Sequence, residues 1–155
     1  MTSWIWRWLG VATLSLSVSA NAEIKDTDFR VSDIQARLLY EQTGILSEDI
    51  TDNQKFIAWN TVIGEGSAVE NANDLLVSVL IVGYDQHNLG TPLIITVKDF
   101  EGRIVGQRTI DGMLAEPKTY RSLFLHDVGC AGVLRFEARL GPSVRSEEIT
   151  LPCGE

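Results

Sequence analysis

The stretch AGVLRFEARLGPSVRSEEITLP, Ala131 to Pro152, alternates apolar and polar residues on both sides of Gly141-Pro142. Successive side chains of an extended strand point to opposite faces, so Leu134, Phe136, Ala138 and Leu140 share one face of a first strand, and Ile149 and Leu151 one face of a second. Gly-Pro between them is turn chemistry. Folding about that centre sets Arg135 opposite Glu148 on the polar side. It also sets Cys130 opposite Cys153 on the apolar side. A slip of one residue turns one strand's apolar set to water, so the pattern itself selects the register.

Those two cysteines are the only ones in the chain. An even count in an exported protein reads as a disulfide. Redox sites use close spacing such as Cys-x-x-Cys, and a nucleophilic thiol has to stay reduced. The sequence therefore predicts a Cys130–Cys153 bridge that clamps two neighbouring strands.

Export is read from residues 1 to 22, MTSWIWRWLGVATLSLSVSANA: Arg7, an apolar stretch from Leu9 to Val18, then Ala20-Asn21-Ala22. That is the order of a signal peptide with a small-x-small cleavage site. The apolar stretch is broken by Ser15 and Ser17 and falls short of the roughly 20 residues that cross a bilayer. The expectation is a signal peptide over 1–22 and a single β-sandwich domain over 23–155, periplasmic or secreted, with no membrane insertion of the mature chain. Removing the segment takes away Arg7 and no acid, leaving 12 Lys and Arg against 21 Asp and Glu, a net charge of −9. That balance repels phosphate backbones and argues against nucleic acid as a partner.

Further strands follow from period-two patterns. Ser32 to Glu41 places Ile34, Ala36, Leu38 and Tyr40 on one face, which fits a strand better than a short helix. Phe56 to Ile63 is rich in aromatic and β-branched residues; Ile57, Trp59 and Ile63 are expected to share a face, with Trp59 in the core. Leu75 to Gly83 is apolar on both faces, the pattern of a central strand buried on both sides or lying beneath a packed loop. Pro92 to Lys98 and Ile104 to Ile110 form a hairpin around DFEGR, 99 to 103, and Thr119 to Leu125 makes another strand. About eight strands separated by Gly, Asp, Asn and Pro signals give an all-β fold. The expectation is an antiparallel β-sandwich, immunoglobulin-like or similar in topology, with a small β-barrel as the alternative. The cysteines differ from those of antibody domains, whose disulfide joins the two sheets.

The stretch from Phe56 to Asp74, FIAWNTVIGEGSAVENAND, gathers side-chain oxygens, and Glu65, Glu70, Asn71, Asn73 and Asp74 form a candidate contact loop. Gly64-Glu65-Gly66 is half of a dinucleotide fingerprint, but the third glycine position is Val69. Calcium takes oxygen ligands of these types, yet the spacing is not that of an EF-hand. Zinc would be left with two distant histidines. Ser67, His87 and His126 lack the Gly-x-Ser-x-Gly context of a nucleophile elbow. No catalytic residue, metal or cofactor is therefore predicted. The sequence points to an exported non-enzymatic binding or accessory module of the cell envelope or secreted space, with another protein as partner. Two alternatives are a secreted hydrolase or calcium-dependent enzyme, and a structural envelope component that assembles by edge-strand pairing.

Overall fold

The computed structural model describes residues 25–52, 55–59 and 66–152. The expected signal segment, Ile63, Glu65 and Cys153 lie outside the described residues.

After a 3₁₀ turn at Asp26–Asp28 come, among the described residues, nine strands: β1 (Arg30–Leu39), β2 (Asp74–Val82), β3 (His87–Leu89), β4 (Leu93–Lys98), β5 (Ile104–Ile110), β6 (Met113–Ala115), β7 (Lys118–Leu125), β8 (Gly132–Leu140) and β9 (Ser143–Leu151). They pair antiparallel in a three-stranded sheet β1-β2-β7, a four-stranded sheet β5-β4-β8-β9 and a small β3-β6 ladder. Inner-face residues of both large sheets, among them Ile34, Leu38, Val77, Val79, Ile95, Leu134, Phe136 and Leu151, form one core. The architecture is all-β and sandwich-like.

The β8–β9 hairpin has the register its pattern requires. Leu140 pairs with Ser143, Arg135 with Glu148 and Gly132 with Leu151. Leu134, Phe136, Ala138, Leu140, Ile149 and Leu151 are all buried. Gly141 has φ +54°, and proline holds φ near −65°, so the two-residue turn is of the II′ kind, with glycine first. Among the described residues no cysteine is a free thiol.

The DFEGR turn between β4 and β5 is built by a buried carboxylate. Asp99 Oδ1 accepts the backbone N–H of Glu101 at 3.0 Å and of Arg103 at 2.9 Å, while Oδ2 accepts Arg103 Nε at 2.7 Å. Desolvation pushes the Asp99 carboxyl up, but the hydrogen bonds from Arg103 and Glu101 and the Arg103 charge outweigh it and hold the group below the ordinary aspartate value.

Two features of β1 escape pattern reading. Its register with β2 shifts between Val31 and Asp33. This bulge changes the alternation, so that Val31 and then Ile34, Ala36 and Leu38 all point inward. Its outer edge is covered by the segment 46–50: Asp49 Oδ1 accepts the Ala36 N–H and Ser47 Oγ the Leu38 N–H, each at 3.0 Å. The backbone joins in, Ser47 N–H to Leu38 O and Ile50 N–H to Ala36 O, both at 2.9 Å. An open edge is thus closed without a further strand.

The segment from Phe56 corrects the sequence expectation. It forms no strand among the described residues, and its phase is the reverse of the one expected: Phe56 and Ala58 are buried while Ile57 is 41% exposed. Trp59 is half-buried and packs against the core. The segment is held at separate points, by Ala58 N–H to Pro152 O at 3.1 Å and Ser67 N–H to Ile57 O at 2.8 Å. Without a continuous ladder, β propensity has no pleat to enforce. β2 is central as expected, between β1 and β7, but only its inner face is fully buried; Leu76, Leu80 and Val82 on the outer face are half-buried. Among the described residues no helix is long and apolar enough to cross a membrane.

Candidate functional site

The polar residues around β2's start are engaged with turns far away in sequence. Glu70 is buried and accepts the Thr43 hydroxyl. Asn71 Nδ2 donates to Glu41 Oε2 at 2.9 Å, and Asn73 Nδ2 to the other oxygen of the same carboxylate. The backbone adds Glu41 N–H to Asn71 O at 3.1 Å and, to the turn after β7, Val128 N–H to Asn73 O at 2.7 Å. Asp74 Oδ1 accepts the Asp127 N–H at 3.2 Å, and its Oδ2 lies 3.4 Å from His126 Nδ1. Residues 70–74 therefore strap the turn after β1 to the turn after β7. Each of these side chains is engaged by a group of the chain itself, and no group of three His, Cys, Asp or Glu suited to a metal ion occurs among the described residues.

The serine and histidines considered for nucleophilic chemistry are not assembled. Ser67 Oγ accepts the Ile57 N–H at 3.1 Å. His126 stands beside the start of β2 and packs edge-on against Phe124, ring centroids 4.8 Å apart. His87 lies beyond the other end of β2, a strand of nine residues, so roughly 27 Å separates the two ends. There His87 Nε2 is 3.1 Å from Asp26 Oδ1, and the ring stacks on Phe29 at 6.1 Å. Asp26 Oδ2 also accepts the Thr91 N–H at 2.7 Å. The Thr91 side chain foremost, with the Thr91 and Gly90 backbone and His87, outweighs desolvation and lowers the Asp26 carboxyl. This cluster fastens the N-terminal turn to the β3–β4 loop.

A different surface carries unsatisfied character. Residues directly opposite across an antiparallel ladder share a face, so the outer side of the three-stranded sheet is a grid of cross-strand rows. The rows are Arg37–Leu76–Phe124, Gln35–Ser78–Ser122, Asp33–Leu80–Tyr120 and Arg30–Val82–Lys118. In two of these rows the β2 and β7 positions pair a leucine with an aromatic ring, with Phe124 37% and Tyr120 52% exposed. Between them the Ser78 and Ser122 hydroxyls are 3.1 Å apart. Along β1 the polar column is internally bonded, Gln35 Nε2 to Asp33 Oδ2 at 3.2 Å, with Arg145 Nη2 at 3.8 Å from Asp33 Oδ1. The one signal in the sequence for this surface is the apolar character of Leu75 to Gly83 on both faces. Nothing local says whether the second face is covered.

Neither a family model nor a curated relative matches the chain. Among solved structures, a Bifidobacterium dentium beta-glucuronidase complexed with coumarin-3-O-glucuronide aligns with 80% of this chain and 18% of its own length, at 16% identity and a TM-score of 0.43. The aligned region is thus a small part of that enzyme, and a likeness at this level carries no argument about function.

Proposed function

We propose that the protein is an exported, non-enzymatic binding module of the cell envelope or secreted space, which engages another protein through the outer face of the β1–β2–β7 sheet. The observation that carries this reading is the pair of cross-strand apolar contacts Leu76–Phe124 and Leu80–Tyr120 on the outer face, where Phe124 and Tyr120 are exposed and Leu76 and Leu80 half-buried. A solvated sheet face is ordinarily polar, and exposed contiguous apolar surface rimmed by polar groups marks interaction sites. Export rests on the order of residues 1–22, and a Cys130–Cys153 bridge on the β8–β9 register.

The scaffold is read as immunoglobulin-like. β1, β2 and β7 take the places of strands A, B and E, and β4, β8 and β9 those of C, F and G, with β5 on the outer side of C.

The test is affinity capture from envelope extract with the parent protein beside a Tyr120→Ser/Phe124→Ser variant. A partner held by the parent and lost by the variant supports the reading; equal retention by both removes this face from it.

A second reading, assembly by edge pairing, draws on β5, an edge strand with Ile104 and Val105 exposed. Sedimentation that stays monomeric across concentrations removes it.

A further inference from the structure

Nearly all of the arginines among the described residues are spoken for. Arg103 pairs with Asp99 and Glu101, Arg135 with Glu148, Arg139 with Glu137 and Arg145 with Glu147 and Asp33. Arg108 donates to Ser122 O and Arg121 to the carbonyls of Leu114 and Tyr120. Arg30 and Lys118 make no ion pair or side-chain hydrogen bond with any described residue. They are the two ends of a single cross-strand row, with Val82 between them. In a chain with 21 Asp and Glu against 13 Lys and Arg, two cations without an ion pair among the described residues stand on backbone positions roughly 10 Å apart, twice the strand spacing.

They border a shallow cavity of about 410 Å³, lined also by Ser32, Tyr84, Pro117 and Asp28. Ser32 is there because of the β1 bulge, which leaves it without a partner in the ladder. Tyr84 is 85% exposed at the rim. The one acid, Asp28, already accepts the Lys25 backbone N–H at 2.9 Å. A second cavity, over Lys98 and Arg135, differs in charge, since Glu137, Glu147 and Glu148 also line it.

We propose that the cavity between Arg30 and Lys118 is a carboxylate site, which receives an acidic group from an extended segment of a partner protein laid along the outer face of the β1–β2–β7 sheet. The proposal rests on the binding reading given above and adds the chemistry of the partner. Cations on two sides and the Ser32 hydroxyl supply the charge-assisted donors a carboxylate takes. The neighbouring Leu80–Tyr120 row lies about 6.7 Å along the sheet, the repeat of alternate side chains in an extended chain. Three strands and four rows cover on the order of 400 Å², about half the area per partner of a standard interface. That area suits a peptide segment rather than a folded domain.

The test is titration of isotope-labelled protein, followed by amide shifts, with a short peptide alternating serine with glutamate and leucine, and with its glutamine counterpart. The acidic peptide should shift Arg30, Val82, Tyr84 and Lys118. Its affinity should exceed that of the glutamine peptide by at least tenfold, and should fall by as much in an Arg30→Gln/Lys118→Gln variant with an unchanged melting temperature. Equal affinity for both peptides overturns the carboxylate site, as does unchanged binding by the variant. Shifts produced by acetate or inorganic phosphate but not by the acidic peptide also overturn it, leaving a small-anion site. Loss of peptide binding in Tyr120→Ser/Phe124→Ser but not in the charge variant sinks the carboxylate site alone, whereas binding untouched by either variant sinks the whole surface.

Discussion

Arg135 Nε and Glu148 Oε2 lie 2.7 Å apart across the β8–β9 ladder, on residues directly opposite one another. Both side chains are more than half exposed, so water screens the pair and its contribution is small. A double-mutant cycle with Arg135→Ala and Glu148→Ala, followed by urea unfolding, should give a coupling of about 0.2–1 kcal/mol. A much larger value would mean that the ion pair, rather than the buried alternation of Leu134, Phe136 and Ile149, sets the register.

Cys130→Ser should lower the melting temperature while leaving the fold intact. Closing the 22 residues between the cysteines stabilises by roughly 3 kcal/mol in the chain-entropy description. Thiol titration of the unreduced parent should find no free sulfhydryl, and an unchanged melt in the variant would remove the bridge.

Ser47→Ala leaves the buried Leu38 N–H without its acceptor. An orphaned buried donor costs about 1–3 kcal/mol. Urea unfolding should register that loss, with faster hydrogen exchange at Leu38; a midpoint equal to the parent's would show that the β1 edge does not depend on this staple.

Asp26 has its carboxyl pKa lowered in the fold by the Thr91, Gly90 and His87 contacts. The unfolded chain then binds the proton more readily, so the stabilisation is complete above the ordinary value of 3.8 and is lost as pH falls through the lowered folded value. Asp26→Asn should be less stable than the parent at neutral pH, with the gap closing in acid. Parallel melting curves from pH 2 to 7 would contradict this.

Gly106 sits where β5 passes β7, and an added Cβ would come within 2.2 Å of Leu125 Cδ2. The obstruction is the end of a side chain, so Leu125 can turn aside at the expense of core packing. Gly106→Ala should cost about 1–3 kcal/mol by overpacking, read from the urea midpoint.

The β8–β9 hairpin was legible because everything that defines it is local: a period-two pattern, a glycine able to take positive φ, and a proline fixing the next residue. The DFEGR turn and the inward set Ile34, Ala36 and Leu38 are of the same kind. The Phe56 segment was not, because residue type alone does not choose the face of a chain that no ladder holds. Glu70, Asn71, Asn73 and Asp74 look alike in sequence as a polar run, while their partners Glu41, Thr43, His126 and Asp127 lie far along the chain.

By itself, then, the sequence determined the all-β class, the order of most strands along the chain and the pairing of the last two, since each follows from alternation and turn chemistry within a few residues. Tertiary structure alone decided which apolar faces are covered. It left the outer face of β2 open between Phe124 and Tyr120, and it aligned Arg30 with Lys118, 88 positions apart by number, on either side of Val82. A strand's pattern records how its side chains alternate, but what lies over each face depends on chain segments brought there only when the sheets assemble.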